Sequence, residues 1–332
     1  MLAESDGFNK TEVETCAQLF MRLASKPSLE SLDLHLFPSH FPKPGEVVEI
    51  HGASATGKTE LLMHFISKCI LPKRWNTLLI NGIEAEVVLI DTDFKFSVIR
   101  LYQILKEQLM KIIDVDSNDI CTSSWAAQTE TLSSKTHSKE PSKKDQQTIK
   151  NEKVLEELVQ SCLDRLYLVR CSSSEQLLIT LHSMENVFSK HPQMTVLMLD
   201  SVSSFYWEDR VKTGDNWKSF EALQDNIIDL LQKLVQDYRL VVFLTKNSTS
   251  QHFKSGKFSH NPNTDHGQIE AFDCKYWSKL SAHRLILTRD DFPFPVVVKG
   301  NEMYASYFVK VFNKKEHHHC KFYINSNGIL YA

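Results

Sequence analysis

The chain has 332 residues, 42% of them hydrophobic, and a formal net charge of −3 at pH 7. That is enough apolar material for one large α/β domain with or without a tail, and the near-neutral charge excludes a uniformly basic nucleic-acid coat while leaving room for a local basic patch. Seven cysteines, odd in number and with no C-x-x-C pair, fit a reduced intracellular setting better than a disulfide framework. No apolar run reaches the ~18 residues of a membrane span and no secretion signal opens the chain, so a soluble protein without a membrane partner is expected.

In chain order, Val13, Cys16, Leu19, Phe20 and Leu23 recur at helical spacing and predict a short amphipathic helix over 11–25. Pro38, Pro42 and Pro44 then mark an extended approach to the first strand. Residues 1–44 read as a helix and linker, a candidate for docking a partner, and 45–332 as the main domain. The strand Val47-Val48-Glu49-Ile50 leads into Gly52-Ala53-Ser54-Ala55-Thr56-Gly57-Lys58-Thr59, which fits G-x-x-x-x-G-K-[ST], and a helix opens at Glu60. The order strand, glycine-rich loop, helix is what phosphate binding requires. The glycines let the backbone curl its N–H groups inward, and the helix N-terminus adds partial positive charge. All eight residues are therefore candidate ATP ligands, with Lys58 on the β/γ-phosphates and the Thr59 hydroxyl on Mg2+.

Val87-Val88-Leu89-Ile90 predicts a second buried strand, ending in Asp91-Thr92-Asp93, and a helix follows through Val98, Leu101, Tyr102, Leu105 and Leu109. From about 116 to 151 the composition turns to Ser, Thr, Lys and Gln, which predicts a disordered surface insertion. Beyond it come a helix near 154–159, a strand at 166–169 and a helix over 174–188 capped by Ser173 or Ser174. The apolar strand 195–199 ends in Asp200. A long helix over about 217–238, a buried strand at 240–244, and strands near 285–287, 307–311 and 322–324 complete the series. Strand and helix alternate first and strands then follow strands, so the fold class is α/β, with a mostly parallel central sheet extended by antiparallel strands toward the C-terminus. Asp200, at a strand end, is the natural second ligand of the Mg2+ shell, and Asp93 is the candidate carboxylate for polarising an attacking water.

Leu89-Ile90-Asp91-Thr92-Asp93, Val196 to Ser201, Val241 to Asn247 and Ala282 to Leu287 stand in the order of RecA-type recombinase cores. With Ile70-Leu71-Pro72-Lys73, Cys171-Ser172-Ser173-Ser174 and Phe205-Tyr206-Trp207-Glu208-Asp209-Arg210, they make the chain resemble the eukaryotic recombinase paralogues over about 45–110 and 155–330. The resemblance implies a RecA-like phosphate-loop core. It also implies ATP and Mg2+ as ligands, other recombinase paralogues as partners in a hetero-oligomeric complex, and work on single-stranded or branched DNA in the nucleus, with the cytoplasm as a second compartment. In that family two loops bind DNA. Their counterparts here are 207–218, with Arg210 and Lys212, and 248–267, with Lys254 and Lys257. Two departures bear on turnover. Asp93 stands where the family has glutamate, and Lys246-Asn247 stands where it has the Asn-Gln pair that senses the γ-phosphate. The resemblance thus implies at most a weak DNA-dependent ATPase acting in homologous recombination. A nucleotide-independent scaffold and an active DNA-stimulated ATPase are the competing readings. His317-His318-His319 with Cys274, His283 and Cys320 predicts no metal site, because successive residues of a strand alternate faces.

Overall fold

Val47–Gly52 (β1) is buried at every residue and lies in the interior of the sheet, between parallel neighbours on both sides. A strand covered on both faces is mostly apolar, and β1 buries two polar side chains, Glu49 and His51, along with its valines and isoleucine. The computed structural model describes residues 16, 19, 23, 25–76, 78–122, 143–214, 216–248, 277, 280–290, 296–298, 302–313 and 317–332. Side chains are described in all of these except 114–122, 143–152, 217, 296–298 and 302–303.

From β1 the chain turns into α1 (Lys58–Ile70), crosses a small ribbon of β2 (Arg74–Trp75) and β3 (Leu78–Leu79), and re-enters the sheet as β4 (Glu86–Asp91). Helices α2 (Val98–Thr122) and α3 (Lys143–Leu163) lead to β5 (Leu166–Arg170), and α4 (Ser174–Lys190) leads to β6 (Met194–Asp200). After α5 (Tyr206–Thr213) and α6 (Trp217–Asp237) come β7 (Val241–Asn247) and β8 (Ser281–Arg289), then a ribbon of β9 (Val296–Val298) and β10 (Glu302–Tyr304). The strands β11 (Ser306–Asn313), β12 (His317–Asn325) and β13 (Gly328–Tyr331) end the series.

The large sheet has the order β13-β12-β11-β8-β1-β7-β6-β4-β5. It is parallel from β8 to β5, while β11, β12 and β13 join antiparallel. This is the mixed α/β architecture that the alternation of elements predicts. Residues of α1, α2 and α3 pack on one face around Phe65, Phe243 and Phe322. Those of α4 and α6 pack on the other around Phe188, Leu231 and Val242. Ser173 caps α4, its hydroxyl accepting the Gln176 amide at 3.1 Å, as its position before the helix predicts.

Three stretches differ from the sequence expectation. The approach to β1 is built into the core. Leu29, Leu32, Leu36 and Phe37 are at most 3% exposed, and Lys26 donates to the carbonyls of Met194 (2.8 Å) and Tyr238. Prolines predicted an extended path, whereas the stretch folds as successive turns, with Leu32 N on the Leu29 carbonyl, Phe37 N on the Asp33 carbonyl and Glu46 N on the Lys43 carbonyl, and these turns bring its leucines into the core. The predicted insertion 116–151 is entered by helix from both ends, since α2 runs to Thr122 and α3 begins at Lys143; residues 123–142 lie outside the described residues. Finally, most of the predicted loop 207–218 is helical: α5 ends at Thr213, whose hydroxyl bonds back to the Asp209 carbonyl at 2.9 Å, and α6 begins at Trp217. Among the described residues no helix is long and apolar enough to cross a membrane.

Candidate nucleotide-binding site

The carboxyl ends of the parallel strands bring the predicted site residues to one level. Gly52 at the end of β1 pairs with Asn247 at the end of β7, and Asp91 at the end of β4 pairs with Asp200 at the end of β6. Open α/β sheets bind ligands in the crevice outside those strand ends.

Around that crevice the loop 52–59 has the backbone a phosphate cradle needs. Gly57 sits at φ 86, and a side chain there would bring its Cβ to 3.0 Å from Ile324 Cδ1. At Gly52 a Cβ would meet the Leu287 carbonyl and the Thr56 hydroxyl, each at 2.6 Å. Both glycines are therefore required by position. No side chain caps α1, so the first-turn amides of the helix remain for an anion.

Lys58 is 8% exposed, and its Nζ donates to the carbonyls of Gly52 (2.9 Å) and Ala53 (2.7 Å). Burial pushes its pKa down to about 8, against the opposing pull of Asp200 and Asp93. A desolvated ammonium whose nearest partners are neutral carbonyls gains from a phosphate. Thr59 Oγ1 donates to Asp200 Oδ2 at 2.7 Å, and Thr245 Oγ1 donates to Asp200 Oδ1. Asp200 is 3% exposed. Burial raises its pKa despite those two hydrogen bonds, and the neighbouring Asp93 and Asp91 raise it further. Buried, and with two other acids close by, this carboxylate gains from a divalent cation. The residues thus fit a Mg2+-nucleotide on both counts, with Lys58 and the loop amides toward phosphate and Thr59 with Asp200 toward the ion.

Asp93 lies at the edge of this group, near enough to act on both Lys58 and Asp200. Its Oδ1 accepts from the Ser204 hydroxyl and its Oδ2 lies 3.3 Å from Lys95 Nζ, so both oxygens are engaged. The residues after β7 divide between the two faces. Thr245 reaches Asp200, and strand alternation turns Lys246 to the opposite side. There Lys246 approaches Glu49 at 3.9 Å, and Glu49 also holds Arg284 at 3.2 Å. Lys246 is therefore a member of a buried charge group on the face away from the phosphate loop.

The candidate DNA residues fall differently. Arg210 on α5 lies over the Phe220 ring at 5.8 Å, and Lys212 pairs with Glu208 (2.9 Å) and Glu175 (3.7 Å). The helix itself is fastened to α4 by the Ser174 hydroxyl, which donates to the buried Asp209 at 2.6 Å. Lys254 and Lys257 lie outside the described residues. Sequence reasoning missed Ser204 and Thr245 as neighbours of the acids. Thr245 was within reach of a strand-parity argument from Asp200, whereas Ser204 follows from the fold alone.

No protein-family model matches the chain. Among curated proteins it is similar to the DNA repair protein XRCC2 of Mus musculus, 34% identical over 285 residues that cover 84% of this chain and 85% of that protein. It is also similar to the DNA repair protein XRCC2 homolog of Arabidopsis thaliana, 33% identical over 247 residues, 71% of this chain and 62% of the other.

Proposed function

The chain belongs to the XRCC2 family of DNA repair proteins, and from that membership we propose that it binds ATP and DNA within a hetero-oligomeric complex of recombinase paralogues, promoting repair of double-strand breaks and stalled forks by homologous recombination. The observation that carries the nucleotide part is the group Lys58, Thr59 and Asp200 at the strand ends, a buried lysine held by two neutral loop carbonyls and a buried acid held by the Thr59 hydroxyl beside two further acids. Lys58 and the loop 52–59 would hold the phosphates, and Thr59 with Asp200 the Mg2+. Bound nucleotide would supply a charged γ-phosphate whose presence or loss sets the state of the site.

Weak turnover is the accompanying expectation. Asp93 is one methylene shorter than glutamate, and a displacement of ~1 Å can cost on the order of a hundredfold in rate. Its oxygens are also already held by Ser204 and Lys95. For partners, Cys16, Leu19 and Leu23 share one helical face, with Leu19 39% and Leu23 71% exposed, which supports docking on another paralogue. For DNA, Trp207 is 67% exposed and offers a ring for stacking on a single-stranded base beside the exposed Lys212 and Lys218. The work would be nuclear.

Replacement of the native protein by Lys58→Ala in dividing cells tests this reading. Loss of break repair with the partner complex still assembled is expected. Full repair with ATP binding abolished would leave the protein a nucleotide-independent scaffold.

A further inference from the structure

A run of hydroxyl groups joins Asp93 to the far end of β7. Ser204 Oγ donates to Asp93 Oδ1 and lies 2.9 Å from Ser201 Oγ. Ser201 Oγ is 3.3 Å from Ser203 Oγ, and Ser203 Oγ accepts the backbone amide of Asn247 at 3.0 Å. A hydroxyl has a single proton. With the Ser204 proton on the carboxylate, the Ser204 oxygen is left to accept, Ser201 is its donor, and Ser203 donates in turn to Ser201. Every bond then points the same way, from the Asn247 amide to the Asp93 carboxylate, and bonds aligned in one direction strengthen one another. Thr92 braces the arrangement: its Oγ1 accepts the Ser201 amide at 2.6 Å and lies 2.7 Å from both the Ser201 carbonyl and Ser204 Oγ, so its single proton goes to one of these two, and the second lone pair of Ser204 accepts from Ser201. Thr92 and Ser201 are 3% and 1% exposed, so little water competes at the middle of the run, and Ser203 and Ser204 on either side are half-buried.

The next amide has a separate anchor. Ser248 N donates to the Gly52 carbonyl at 3.0 Å, at the mouth of the phosphate loop. Two consecutive amides at the end of β7 thus read different ends of the same crevice, one the loop and the other the carboxylate.

We propose that Ser204, Ser201 and Ser203 form a relay that transmits the state of Asp93 to the backbone at Asn247, the last residue of β7. Ser204 is then a positioning residue for Asp93. The inference rests on the reading of the crevice as an ATP site. When Asp93 turns to groups in an occupied site, the Ser204 hydroxyl loses its charged acceptor, the aligned bonds weaken in sequence, and Asn247 is released. The side chain after β7 that senses the γ-phosphate in the recombinase pattern is not needed for this, because the signal arrives at a backbone amide.

Hydrogen exchange of the full-length protein, resolved at Asn247 and Ser248 and measured with and without saturating MgATP, tests the relay. In the absence of nucleotide, Ser204→Ala and Asp93→Ala are each expected to speed exchange at Asn247 about fivefold, the factor one net hydrogen bond supplies, with Ser248 unchanged. Ser204→Thr, which keeps the hydroxyl, should restore the slow rate. Saturating MgATP should speed Asn247 in the wild-type protein and add nothing in Ser204→Ala. If Ser204→Ala does not fold, Asp93→Ala carries the same comparison. Asn247 exchange that ignores Ser204→Ala and Asp93→Ala, or ignores MgATP in a protein that binds it, overturns the relay alone. A wild-type protein that binds no MgATP overturns the nucleotide site and the relay with it.

Discussion

Lys58 shows how one side chain can be at once structurally satisfied and functionally poised. Its ammonium bonds two loop carbonyls, yet burial holds its pKa near 8, more than two units below that of an exposed lysine. An anionic ligand favours the protonated form, so the sign of the pH effect is fixed. Below about 8 the site is charged and binds, and above it binding must first take up a proton. ATP affinity is expected to fall as pH rises through about 8, by roughly tenfold per unit once Lys58 is neutral, and the fall should vanish in Lys58→Ala; a titration between pH 7 and 10 reads it. Flat affinity over that range would mean that Lys58 does not meet the phosphate. At this scale the sequence was explicit where chemistry demands a residue type at fixed spacing, as at Gly57, Lys58 and Thr59. It was silent on partners brought from afar. Ser204 reaches Asp93 across 111 positions, and no local pattern marks such a pair.

Among the elements, the antiparallel hairpin of β12 and β13 has a closer relation to the phosphate loop than its place in the chain suggests. Ile324 packs where a side chain at Gly57 would sit. Arg100 on α2 ties the two together: Nε and Nη2 bond the Glu60 carboxylate at 3.3 and 3.1 Å, and Nη1 bonds the Ser326 carbonyl at 2.6 Å. Glu60 lies in the first turn of α1, directly after Thr59. Arg100→Ala removes several charge-assisted bonds at a largely covered position. The expected loss is about 2 kcal/mol of unfolding free energy, with faster amide exchange confined to the turn at 325–328. An unchanged midpoint in denaturant would show the clamp to be idle. The strands and helices themselves were readable because buried parallel strands are apolar runs and the helices carry apolar stripes. The helix α5 was not, since it is only eight residues long and polar, with Asp209 its one buried side chain and Trp207 and Val211 67% and 81% exposed. Its position is fixed by Asp209 reaching Ser174, a tertiary bond.

For the molecule as a whole, the N-terminal stretch divides at about residue 25. Beyond it Leu29, Leu32, Leu36 and Phe37 complete the core beneath α1, whereas the exposed Cys16, Leu19 and Leu23 before it contribute nothing to that core. Removal of residues 1–24 is expected to leave the melting temperature near that of the full chain and to weaken binding to a paralogue partner. Removal of residues 1–37 strips four buried side chains worth ~2 kcal/mol each. That roughly 8 kcal/mol is comparable to the whole stability of a typical domain, ~5–15 kcal/mol, so no cooperative melt is expected. Thermal unfolding of the two truncations, with a partner pull-down on the first, separates the roles. The order of elements gave the α/β class and the family resemblance the RecA-like core, while the division at residue 25 emerged from packing, because Leu29, Leu32, Leu36 and Phe37 lie on successive turns rather than on a regular element whose buried face a sequence pattern would mark.

The central claim is that the crevice bounded by Gly52–Thr59 and Asp200 is a Mg2+-dependent ATP site. Equilibrium titration of the purified wild-type protein and Lys58→Ala with a fluorescent ATP analogue, with and without Mg2+, tests it most directly. Saturable binding that requires Mg2+ and weakens on the order of a hundredfold in Lys58→Ala, as loss of a buried charge-assisted contact implies, is the predicted result. Equal affinity of the two proteins, or no binding by either, would contradict it.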